Sequence, residues 1–155
     1  MINIFIQNQT LEHIGKNGLS TIFSISSSGR GLGQIKGSYC TPLGEHIVRA
    51  KIGTDVPKYG IFKARRWTGD VWNKDKHYDS NDLILSRILW LSGTQLGFNR
   101  LGNVDTMQRF IYIHGTHEEE KIGQPASHGC IRMLNDDVIS LFQLVSIGER
   151  VLINE

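Results

Sequence analysis

The run ASHGCIRMLNDDV, residues 126–138, sets a serine, a histidine, a glycine and a cysteine in a row, with an arginine two positions on. A cysteine does chemistry as a thiolate, so Cys130 needs a base or a cation beside it. His128 shares a face with Cys130 if the segment is extended, but a base on the same strand does not easily swing onto the sulfur. His114, sixteen residues earlier, can approach from the end of a neighbouring strand and is the preferred base. Its other ring nitrogen needs an acceptor, and Gly115, lacking a Cβ, allows a backbone carbonyl to come close. Backbone N–H groups around Gly129 and Cys130 suit an oxyanion, and Arg132 has the planar fork that pairs with carboxylates. This chemistry calls for a thiol of lowered pKa and for no cofactor.

A second class of chemistry uses the same residues. His114, His117, His128 and Cys130 are zinc-ligand types, although their spacing matches none of the common structural zinc patterns. The bland reading makes Cys130 a small buried apolar residue and the arginines surface charges. A Cys40–Cys130 disulfide is disfavoured, because one partner sits in what reads as a reactive site. His13, His46 and His77 read as structural or surface positions.

The elements that must position these residues read as mainly β. Residues 1–155 fit one domain, and short alternating runs are broken by glycine-rich turns. Strands are expected at 2–7, 19–28, 47–53 and 150–154, with a turn at 13–18 and a glycine-rich loop at 29–46. RFIYIHGTHEEE (109–120) puts Phe110, Tyr112 and His114 on one face of a strand and Ile111 and Ile113 on the other. Two principal α-helices are expected. One spans about 80–93, capped by Ser80 or Asn81. The other spans about 135–148, capped by Asn135 or Asp136 and stopped by Gly148. Residues 54–80 read as a strand pair packing its aromatics on the core, with a flap over a cleft as the functional alternative. A net charge of +2, with scattered basic residues, gives no nucleic-acid footprint. No apolar stretch approaches a membrane span, and no secretory pattern opens the chain, so a cytoplasmic location is expected.

IHGT (113–116), followed after twelve residues from His114 by SHGCIRM (127–133), resembles the catalytic signature of the L,D-transpeptidases, the YkuD-like family. TPLG (41–44) and SIGERVLI (146–153) are similar to that family too. The resemblance implies a β-sandwich with a few helices. It implies Cys130 as the nucleophile and His114 as the base, oriented by the Gly115 carbonyl. Ser127, His128, Gly129 and Arg132 would line the site, with Arg100 and Arg109 as further candidates for substrate carboxylates. The implied substrate is a peptidoglycan stem tetrapeptide or muropeptide, cut between diaminopimelate and D-Ala. Carbapenems are the implied covalent inhibitors. Water as acceptor would give an L,D-carboxypeptidase of murein recycling; an amine would give a transpeptidase.

Overall fold

A computed structural model describes residues 1–155. Its strands are β1 (Ile2–Phe5), β2 (Thr10–Ile14), β3 (Ser20–Ser26), β4 (Gly44–Ile52), β5 (Gly60–Lys63), β6 (Arg66–Val71), β7 (Ile84–Gly93), β8 (Tyr112–Gly115), β9 (Ile131–Met133) and β10 (Arg150–Asn154). The single α-helix is α1 (Asn135–Leu144). The strands pair in the order β4-β10-β1-β2-β3-β9-β8-β7, and a β4–β7 pairing closes that sheet on itself. The hairpin β5–β6 hangs from the start of β7. Closure removes the free edges that an open sheet would expose, and leaves a mostly β, barrel-like sandwich.

Outside the exposed strand β6, one face of each strand is buried. Ile2 and Ile4, Leu11, Ile25, Val48, Leu91, Ile113 and Ile131 form one core cluster with Val138, Leu141, Phe142 and Val145 of the α1 segment. The helix lies against β7 and β8, so its first turn reaches the strand that carries His114. Asn135 is the first helical residue rather than a cap, and the residue before the helix makes no side-chain capping bond. The helix also stops at Leu144 instead of running to Gly148, which lies in the turn before β10 at φ +87°.

The helix expected over 80–93 is a strand, β7, and the longest in the sheet. Two features of this segment disguise it. Leu85, Ile88, Leu89 and Leu91 are fully buried, because a strand in a closed sheet under a helix is covered on both faces. A β-bulge between Leu85 and Ile88, with Ser86 at φ +69°, inserts extra residues and turns alternation into spacings of three and four. Strand β2 was also missing from the sequence reading, which placed its last residues in a turn. In the 54–80 region a strand pair forms and packs most of its aromatics, while Trp67 stays exposed. Tyr59, Trp72 and Tyr78 pack around Ile61, Leu83 and Leu85, and Phe62 packs with Ile88 and Tyr112.

Candidate active site

Strands β8 and β9 run parallel, with Ile113 beside Ile131 and His114 beside Arg132. Ile113 and Ile131 point into the core. Tyr112, His114 and Arg132 therefore share the opposite face, and Cys130, one residue ahead of β9, joins them. The thiol accepts a hydrogen bond from Tyr112 N–H at 3.3 Å and donates to the Phe110 carbonyl at 3.4 Å. No hydrogen bond joins it to His114, which sits diagonally across on the same face.

The turn that delivers Cys130 is locked from below. Gly129 has φ +126°, and a Cβ there would lie 3.3 Å from the Cys40 carbonyl oxygen. Thr41 Oγ1 donates to Gly129 O at 2.9 Å, tying the glycine-rich loop to the turn. Ser127 Oγ donates to Cys130 O at 2.6 Å and accepts from Gly129 N–H at 3.2 Å. Two expectations change here. Ser127 is buried and braces the turn rather than facing a substrate. The Gly129 N–H is engaged by that serine, so it is not an open oxyanion donor.

His114 is buried, and its Nδ1 lies 2.6 Å from Gly115 O. A carbonyl only accepts, so Nδ1 carries the hydrogen and Nε2 keeps its lone pair. Gly115 is held in turn: a Cβ there would lie 2.3 Å from Asn135 Oδ1 and 2.8 Å from Leu85 O. Asn135 donates to Thr116 O at 2.7 Å and accepts from Ser86 Oγ at 2.6 Å. Helix α1, β7 and the end of β8 are thus fastened together directly behind the imidazole.

Arg132 is fully buried between two carboxylates, with Asp82 at 2.6 Å and Glu118 at 3.2 Å. Its fork is occupied by the protein, which removes it as a substrate-carboxylate binder. His128 is exposed and sits 3.0 Å from the other Asp82 oxygen, so it lines the site's rim rather than an oxyanion position. Arg109 holds the glycine-rich loop through Gly33 O at 3.1 Å and Cys40 O at 2.6 Å. Its charge reaches Cys130, but its donors are engaged. Arg100 lies on the exposed loop after β7, and no contact brings it to Cys130. The four zinc-type residues do not converge: His114 turns to Gly115, His128 to Asp82, and His117 stacks on Trp72.

The electrostatics describe a neutral resting pair. Burial pushes the Cys130 thiol up to about 12; the Tyr112 N–H and the charges of Arg132 and Arg109 oppose this, while Asp82 adds to it. These surroundings favour the thiol over the expected low-pKa thiolate. Burial also holds His114 below its ordinary value, against the pull of the Asp82 charge and the Gly115 carbonyl. Asp82 itself is raised by burial but ends below the usual carboxylate range, through His114, Arg132 and the hydrogen bonds it accepts. A cleft of about 270 Å³ lies beside the Cys130 turn, lined among others by Tyr39, Arg109, Phe110 and His128 but by neither Cys130 nor His114.

Asp82, Glu118, Tyr112 and Asn135 were not among the expected site residues. Asp82 was hidden by the helix assignment, which made its neighbours caps. Tyr112 acts through its backbone, which side-chain chemistry does not signal.

The L,D-transpeptidase catalytic domain family, YkuD, matches residues 2–153, and the chain belongs to that family. The candidate L,D-transpeptidase YqjB of Bacillus subtilis strain 168 is 46% identical over 65 residues, covering 42% of this chain and 35% of that protein. An L,D-transpeptidase from Xylanimonas cellulosilytica has a similar fold, with a TM-score of 0.56 at 21% identity over 99% of this chain and 59% of the other. The L,D-transpeptidase LdtMt1 in complex with imipenem has a TM-score of 0.56 at 18% identity, over 99% of this chain and 57% of the other. The chain thus spans about a third of the curated relative and a little over half of these structures.

Proposed function

We infer that the chain carries out cysteine-based acyl transfer on the L,D bond of peptidoglycan stem tetrapeptides, with Cys130 as nucleophile and His114 as base. One observation carries this reading. The His114 ring is fixed by Gly115 O in the tautomer that leaves Nε2 basic, on the face shared with Cys130. Because thiol and imidazole are both neutral at rest, the proton moves as the bond forms. Sγ bonds to the carbonyl carbon of diaminopimelate in the amide to D-Ala while its proton passes to Nε2. The Tyr112 N–H stabilises charge developing on sulfur, and Asp82 stabilises the imidazolium. The C–N bond then breaks, Nε2 returns the proton to the leaving amine, and D-Ala departs from a thioester.

The acceptor completes the cycle by giving its proton to Nε2 and displacing sulfur. The family relationship supports an amine, hence transpeptidation. The half-buried thiol beside an open cleft supports water, hence the L,D-carboxypeptidase of murein recycling. The recycling role carries a cytoplasmic location with it, which fractionation tests. Imipenem bound to LdtMt1 supports carbapenems as acylating inhibitors here.

Mass spectrometry of wild type and Cys130→Ala with disaccharide-tetrapeptide, with and without a free D-amino acid, is the test. A tripeptide product that needs Cys130 and ignores the amine establishes hydrolysis; an exchanged or dimeric product establishes transpeptidation. A wild type that leaves the tetrapeptide intact in both conditions overturns the reading.

A further inference from the structure

The tip of the β5–β6 hairpin is a two-residue turn, Ala64–Arg65, with φ of +48° and +63°. That geometry favours Asn-Gly, and neither residue here is suited to it. The backbone strain places one side chain. Arg65 Nη1 donates to the Tyr112 hydroxyl at 3.1 Å, and its guanidinium lies 5.0 Å from the Trp90 ring and 4.8 Å from the Phe110 ring. Tyr112 and Phe110 are the same two residues whose backbone N–H and C=O hold the Cys130 thiol. Tyr112 thus links the two groups, its hydroxyl on the guanidinium and its backbone N–H on the sulfur.

The other arginines at this site are engaged elsewhere. Arg132 is buried between two carboxylates, with only its Nε, itself buried, left without a partner, and Arg109 is bound to loop carbonyls. Arg30 lies over Tyr39, and Lys36, on the same glycine-rich loop, lines the cleft with Phe110 but has no hydrogen bond to either residue that holds the thiol. Arg65 has no carboxylate partner, and its one hydrogen bond within the chain is to a tyrosine hydroxyl. A cation placed among aromatic rings and not paired with a carboxylate is suited to receive an anion.

We propose that Arg65 is a specificity-determining residue that binds the free carboxylate of the terminal D-Ala in the acyl donor. This rests on the inferred L,D acyl transfer. The carboxylate lies one residue, ~3.5 Å of chain, beyond the attacked carbonyl, so a donor seated at Cys130 with its leaving residue toward Tyr112 and Phe110 presents that carboxylate to the fork. The site then selects peptides that end at this residue over those that are amidated or extended there.

The test compares release of D-Ala from the tetrapeptide with release of D-alaninamide from its C-terminal amide. Wild type is expected to favour the free acid by about 10- to 100-fold in kcat/KM. Arg65→Asn keeps a residue that tolerates positive φ, so the hairpin is retained. It should lower kcat/KM on the acid until the preference is gone and leave the amide unchanged. Arg65→Lys, which keeps the charge without the fork, should restore part of the preference. An equal fall on both substrates would reduce Arg65 to a support for the hairpin and overturn the proposal. So would a preference that survives in Arg65→Asn, or none in wild type. If wild type turns over neither peptide, the acyl-transfer reading fails first. Alkylation of Cys130, located by peptide mapping, separates the two failures: Arg65→Asn should cut the iodoacetate-to-iodoacetamide rate ratio several-fold, and an unchanged ratio overturns an available cation at the thiol.

Discussion

Two buried histidines in this chain begin with the same construction and end differently. His46 directs Nδ1 to Gly44 O at 2.9 Å, and His114 directs Nδ1 to Gly115 O at 2.6 Å. Burial lowers both, His46 to about 4. They part at Nε2. In His46 that nitrogen meets the Thr106 hydroxyl at 3.0 Å, which completes its hydrogen bonding with a neutral partner. In His114 it makes no hydrogen bond within the chain, on a face shared with Cys130 and within the field of Asp82. A satisfied ring is a packing element. A ring fixed at one nitrogen and left open at the other, with a carboxylate placed to stabilise its cation, is prepared to take up a proton.

The contrast breaks first, and by the largest margin, at activity. His114→Gln is expected to lower kcat/KM for the tetrapeptide by about 10²- to 10⁴-fold, the range for a general base. Cys130→Ala should abolish turnover. His46→Gln should leave the turnover of folded protein unchanged. Coupled D-Ala detection, with circular dichroism to verify folding, measures all three. An active His114→Gln would remove the distinction between the rings.

The surroundings of the two rings differ as sharply as their contacts. Beside His114 lies an ionic cluster in which Arg132 neutralises Asp82 and Glu118. Arg132→Met leaves Asp82 with His128 and Glu118 with Lys121, both less buried partners, and breaking such a partly buried cluster is expected to cost up to about 3 kcal/mol. Urea unfolding should show the midpoint falling with the slope unchanged. A loss below about 1 kcal/mol would mean that the cluster is solvated like a surface pair.

Much of this site was legible because nucleophile and base lie close in sequence. IHG and SHGC sit at the ends of adjacent parallel strands, so local alternation already put Tyr112 and His114 on one face. The Gly115 carbonyl was legible for the same reason, as the neighbour of its histidine. What the sequence concealed depends on distant pairing. Asp82 meets Arg132 across fifty positions, in a stretch whose bulge imitates helical spacing. Arg132 looked available because nothing local reveals that Asp82 and Glu118 close on it. Arg65 was unremarkable within KARR until the hairpin turned it onto Trp90 and Phe110.

The smallest expected effect concerns stability and pH, and it belongs to the satisfied histidine. His46 has its folded value near 4 and an ordinary value of 6.5. Above pH 6.5 both folded and unfolded states hold it neutral, and its contribution is complete. As pH falls from 6.5 toward 4, the unfolded chain takes up a proton that the folded chain refuses, so stability declines across that window. The full loss is about 3 kcal/mol once pH is below both values. Thr106 and Gly44 offer no charge to offset it, and the Arg109 charge adds to it. Urea titrations between pH 7 and 4 should show the decline in wild type and a shallower one in His46→Gln. The slope that remains in that variant belongs partly to His114, whose folded value is also lowered. A wild-type stability flat from pH 6.5 to 4 would mean that His46 protonates in place, and that its hydroxyl partner does not hold the ring neutral.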